Sequence, residues 1–111
     1  MTALNGSLTN ACQCFGMPHF TYILASRSGK AIYIGATNDL RKRVTQHRSG
    51  QGSAHTAKYN IHRLVYFEEH ETAEVAYQRE HKLKRWKRAW KDQLIQERNP
   101  NWSDLVMEIP L

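Results

Sequence analysis

The sequence predicts an α+β fold, a small three-stranded antiparallel sheet flanked by helices in the order β-β-α-β-α-α. Three observations carry this prediction. Two β-branched and aromatic runs, residues 20–25 and 31–35, stand on either side of Ser26-Arg27-Ser28-Gly29-Lys30, the spacing of a hairpin. A third such run covers residues 63–68. From residue 72 to about 98 the chain is rich in helix formers and holds no Gly or Pro, so its backbone favours helix over most of that length.

In order along the chain, the first run is Phe-Thr-Tyr-Ile-Leu-Ala, and Gly29 suits the turn after it because glycine enters positive φ without a steric cost. Ala-Ile-Tyr-Ile-Gly then returns as the second strand. Thr37 and Asn38 are the cap candidates for a helix over about 39–49, in which Leu40, Arg43, Val44 and His47 share one stripe. Residues 49–53, Ser-Gly-Gln-Gly-Ser, end that helix and open a loop to about residue 60. The long helical segment reads as two helices with a bend near Lys84. Ala73, Ala76, Tyr77 and Leu83 share a face before the bend, and Trp86, Ala89, Trp90 and Leu94 share one after it. Asn99-Pro100 is a stop signal.

At 111 residues the chain holds one core. The expected division is a flexible N-terminal tail over 1–18, a folded domain over 19–105 and a C-terminal tail over 106–111. Cys12 and Cys14 are too close for an unstrained disulfide and too few for a zinc site, so they are expected to be reduced, in a cytoplasmic protein. No apolar run approaches the roughly 20 residues that span a bilayer, and no membrane partner is expected. Sixteen Lys and Arg against ten Asp and Glu give a formal charge of +6, which attracts polyanions, nucleic acid first among them.

Some residues need more than packing to explain them. Glu80 falls in the middle of an apolar helix face, where an unpaired carboxylate is costly. Either it forms an ion pair at the edge of the core, with Arg79, Lys82 or Lys84, or it holds a divalent metal whose other positions go to water and phosphate oxygens. Arg43 offers a fixed fork of donors suited to phosphate. His47, one turn later, suits hydrogen bonding or proton transfer near neutral pH. Tyr22 and Tyr33 lie on consecutive strands, within reach of one another across the hairpin. The run from His81 to Lys91 interleaves six cations with two tryptophans; the tryptophans are expected in the core and the cations on a phosphate-tracking surface. Arg41, Lys42, Lys84 and Lys87, with His55 and Lys58 from the loop, are the candidate nucleic-acid contacts.

In this order and spacing the residues resemble the GIY-YIG nuclease superfamily, from about Phe20 to Leu105. The second signature stands intact as Tyr33-Ile34-Gly35. The first keeps only its tyrosine, in Phe20-Thr21-Tyr22, eleven residues before Tyr33. Arg43, His47 and Glu80 follow at family-like positions, and residues 99–105 resemble the ending of small single-domain members. The resemblance implies a metal-dependent endonuclease acting on DNA, with branched or damaged structures among its expected substrates and Tyr22, Tyr33, Arg43, His47 and Glu80 catalytic. It implies that Glu80 ligates one Mg²⁺ or Mn²⁺ and that Arg43 stabilises charge on the scissile phosphate. One of the two tyrosines would activate water or contact the phosphate. A non-catalytic nucleic-acid-binding module keeping the same fold is the alternative, and a protein partner supplying substrate specificity is a further expectation.

Overall fold

A computed structural model of the chain describes residues 18–50 and 58–109. Cys12, Cys14, His55 and the expected N-terminal tail up to residue 17 lie outside the described residues. Strand β1, His19–Ser26, turns through Gly29 at φ +79° into β2, Ile32–Thr37. Helix α1, Leu40–Arg48, follows, then β3, Ile61–His70. Helices α2, Ala73–Arg85, and α3, Arg88–Arg98, complete the predicted order. The sheet is antiparallel with the order β2-β1-β3, so β1 is its central strand.

Period-two alternation along β1 divides the core into two layers. Phe20, Tyr22 and Leu24 face α1 and pack with Leu40, Val44, Ile61 and Leu64. Ile23 and Ala25 face the other way and pack with Ile34, Val65, Leu83 and Ile95. Thr21 is buried on this second face, and its hydroxyl donates to the Ala76 carbonyl of α2 at 2.9 Å. A register shift between Ile23 and Leu24 lets both Val65 and Tyr66 of β3 reach the second layer.

Several boundaries and faces differ from the sequence prediction for local reasons. The cap of α1 is Asp39, whose carboxylate accepts from the Lys42 amide at 3.1 Å, while Thr37 Oγ1 accepts from the Asp39 amide at 3.1 Å. The bend falls at Trp86 and Lys87, both extended, rather than at Lys84. That link brings Leu83 and Ile95 into one core, and it shifts the phase of the apolar face beyond it. Trp90 is consequently 51% exposed, not part of the core. Tyr77 is also exposed, because α2 buries only the narrow strip of Ala76 and Leu83. Residues 106–109, read from the sequence as the start of a tail, form a short 3-10 turn, Val106–Glu108, followed by a buried Ile109. The Arg41 guanidinium donates to the Ile109 carbonyl at 3.1 Å and ties this segment to α1.

Candidate active site

The site is built around one close approach in the hairpin. Tyr22 on β1 stands directly opposite Gly35 on β2, while Tyr33 pairs with Leu24. Tyr33 and Gly35 therefore point to the same face as Tyr22. The Tyr22 ring lies across Gly35, so a Cβ there would sit 2.5 Å from the phenol oxygen and 2.6 Å from Cζ. Gly35 is thus needed for the space it leaves rather than for an unusual φ. The sequence places Gly35 at the end of a strand and in the second signature, and neither reading by itself shows its contact with Tyr22.

Beside the Tyr22 phenol, α1 places Arg43 from its first turn and His47 from its last. Tyr22 Oη and His47 Nε2 share a hydrogen bond of 3.1 Å, with both residues essentially without solvent contact. Tyr33 completes the cluster, its ring centroid 5.1 Å from that of His47 and 6.3 Å from that of Tyr22. Tyr33 is only partly buried, so of the two tyrosines it is the one open to an incoming group.

The electrostatics separate the roles further. Burial pushes the Tyr22 phenol well above its ordinary range, and Tyr33 and Glu80 push the same way, against the opposing pull of Arg43. Tyr22 is therefore a neutral phenol that positions His47, not a phenolate. His47 is held below the ordinary imidazole value, first by burial and then by its neighbours Arg43 and His62. It is a neutral imidazole at neutral pH, able to accept or relay a proton.

Glu80 sits on α2 with its side chain only 15% exposed, and Lys84 Nζ lies 2.7 Å from its carboxylate one turn on. The ion-pair reading of Glu80 is thus realised, with Lys84 rather than Arg79 or Lys82. Among the described residues no group of three His, Cys, Asp or Glu converges as a metal cage. A lone carboxylate is a hard oxygen donor of the kind that Mg²⁺ or Mn²⁺ takes while filling its remaining positions with water and phosphate oxygens, so the donor type fits, with Lys84 as the competitor such an ion must displace.

Arg79, by contrast, belongs to a structural network that the sequence did not announce. It forks onto Glu68 of β3 at 2.9–3.1 Å. The Tyr66 hydroxyl donates to Glu68 at 2.5 Å, and burial lifts Tyr66 to about 12. Burial alone would raise the Glu68 carboxyl, but Arg79 and Tyr66 together hold it below its ordinary value. The only advance signal is that Tyr66 and Glu68 alternate along β3 and so share its α2 face.

The candidate nucleic-acid contacts divide. Lys42 and Lys58 are exposed, and Lys58 lies over the Tyr59 ring at 5.5 Å. Lys87 lies over the Trp90 ring at 5.7 Å. Arg41 and Lys84 are engaged with Ile109 and Glu80 as described.

Comparison with known proteins agrees with this architecture. The model of the GIY-YIG catalytic domain matches residues 18–93. A UPF0213 protein of Haloquadratum walsbyi is 37% identical over 79 residues, covering 71% of this chain and 88% of that protein. Those of Bacillus pumilus and Staphylococcus aureus are each 39% identical, covering 71% and 72% of this chain and 80% and 96% of theirs. The solution NMR structure of the UPF0213 protein from Bacillus halodurans superposes with a TM-score of 0.51 at 31% identity, covering 79% of this chain and 93% of that one. With the domain match spanning strands β1–β3 and the relatives matched over most of their own length, the chain belongs to the GIY-YIG family, among its small UPF0213 proteins.

Proposed function

We propose that the domain is a metal-dependent endonuclease that hydrolyses phosphodiester bonds in DNA. The observation that carries this reading is the cluster of Tyr22, Tyr33 and His47 beside Arg43, made possible by the absence of a side chain at Gly35. Phosphodiester hydrolysis requires a positioned phosphate, a stabiliser of the charge that develops on it, and a route for the proton of the attacking water. Arg43 clamps the phosphate. Tyr33 contacts the phosphate or water from the open side. His47, neutral and fixed by Tyr22, takes the proton. Glu80 would hold one Mg²⁺ or Mn²⁺, which when bound polarises the phosphoryl oxygen as a Lewis acid.

The test is nicking of supercoiled plasmid, and of branched and damaged duplexes, by the purified full chain with Mg²⁺ or Mn²⁺. Glu80→Ala is expected to lower cleavage by roughly 100-fold or more; unchanged cleavage in that variant would sink the assignment. The second reading, a nucleic-acid-binding module without cleavage, is favoured by one observation, the Lys84 ammonium on the Glu80 carboxylate. It predicts salt-sensitive binding and no nicking with either metal, even in Lys84→Ala. Cleavage recovered on adding a cell fraction would instead point to a partner that supplies specificity.

A further inference from the structure

The exposed tryptophan is the feature that the catalytic cluster does not use. Trp90 is 51% exposed on the first turn of α3, edge-on to Trp86 with ring centroids 6.1 Å apart. The two indoles, with Gln93, Leu94 and Glu97, line an open hollow of about 320 Å³. Lys87 lies over Trp90 and Arg79, itself paired with Glu68, lies 5.4 Å over Trp86. Of the six Lys and Arg from His81 to Lys91, Lys84 pairs with Glu80 and Arg88 with Asp92, which leaves Lys82, Arg85, Lys87 and Lys91 with no acidic partner among the described residues. Glu97 is the single acid among the lining residues.

A large indole left half in water inside a cationic rim matches a polyanion that also presents a flat π-face. We propose that Trp90 and the hollow beside Trp86 bind an unpaired nucleobase of a single-stranded stretch of nucleic acid. The cations track the flanking phosphates, and the indole stacks on the base. Bases within an intact duplex are already stacked on one another, so the site selects frayed, looped or branched substrate. The proposal deepens the nuclease reading by naming its substrate class, and it rests on that reading only for the cleavage that follows binding. The platform lies on α3 and Glu80 on α2, on either side of the extended Trp86–Lys87 link.

The experiment uses the full chain without metal, titrated with short oligo-dT and with an abasic strand of the same length, read by intrinsic tryptophan fluorescence and by anisotropy of a labelled strand. Oligo-dT is expected to quench emission, and Trp90→Ala to weaken its binding by roughly five- to a hundredfold. Trp90→Phe, which keeps an aromatic face, retains most of it. The abasic strand binds wild type and Trp90→Ala alike, because it engages only the cations. Equal binding of oligo-dT by wild type and Trp90→Ala overturns the proposal, as does equal loss for both strands. Concentration-dependent dimerisation that Trp90→Ala abolishes also overturns it, since a second copy would then be the occupant. Trp90 lies outside the core, so the substitution leaves folding intact. The binding arms need no cleavage; a failure of the nuclease reading alone appears as quenching without nicking.

Discussion

Adding one methyl group at Gly35 is the sharpest test of how the site is built. In Gly35→Ala the new Cβ would lie 2.5 Å from Tyr22 Oη, 2.6 Å from Cζ and 3.0 Å from Cε1. An exposed ring would swing aside at little cost. Tyr22 has no exposed surface and is bonded to a buried His47, so the ring, the helix or the strand must shift instead. Overpacking of this kind costs about 1–3 kcal/mol. Losing the Tyr22–His47 hydrogen bond adds about 1 kcal/mol. Against this, alanine restricts the unfolded chain and returns roughly 0.4–1 kcal/mol. A net loss of about 1–3 kcal/mol follows, read from urea unfolding of wild type and variant. Tyr22→Leu, which removes the phenol, is the partner for a double-mutant cycle. If the clash is the cause, the double variant is more stable than the sum of the single losses predicts, by at least about 1 kcal/mol. Stability within 0.5 kcal/mol of wild type for Gly35→Ala, or strict additivity in the cycle, would refute the reasoning.

Other perturbations separate the remaining parts. Tyr33→Phe is expected to reduce nicking by roughly 100-fold, whereas Tyr22→Phe removes the buried hydrogen bond to His47 and lowers stability by about 1–3 kcal/mol; unfolding and cleavage measured on the same preparations distinguish the two. Lys84→Ala frees the Glu80 carboxylate and tightens Mn²⁺ binding by roughly two- to fivefold, as read by paramagnetic broadening of NMR signals near Glu80. Glu68→Gln weakens the fork from Arg79 and lowers stability by about 1–3 kcal/mol without touching metal binding, an outcome checked by urea midpoint and the same NMR titration. His47 resists protonation in the folded state, so the unfolded chain binds more protons as pH falls below the ordinary imidazole value of 6.5. Its contribution is intact above that pH and declines below it. A His47→Gln variant should show a shallower loss of stability between pH values of about 7 and 5, and an unchanged slope would exclude His47 as the cause.

The layered α+β order was legible because strands and helices announce themselves locally, through β-branched runs, Gly29 at the turn and an unbroken helical composition. The polar cluster was legible from the spacing of Tyr22, Tyr33, Arg43 and His47. Other features depend on contacts between residues far apart in the chain. Arg79 and Glu68 meet only because α2 crosses the face of β3, and no periodicity of either element encodes that pairing. Trp90 lies off the core because a face counted at 100° per residue from Trp86 starts too early: Trp86 and Lys87 are extended and the second helix begins only at Arg88. Ile109 is not legible from the sequence because the apolar stretch around it, Leu105-Val106-Met107-Glu108-Ile109, is too short to show a helical or strand period and ends at a proline. It is held by the Arg41 guanidinium, sixty-eight residues earlier. Tyr22 and Gly35 make the opposite case: each was named, but their dependence on one another came only from register.

The central place of β1 in the order β2-β1-β3 gives the site a particular kind of durability. An outer strand can peel away by breaking one ladder, whereas the middle strand opens only when two have failed. Amide protons around Tyr22 should therefore be among the last in the domain to exchange with solvent, outliving those at either margin of the sheet. A molecule fraying at β3 would still carry Tyr22 opposite Gly35, and so would keep the hairpin half of the candidate site through fluctuations that disorder the opposite edge.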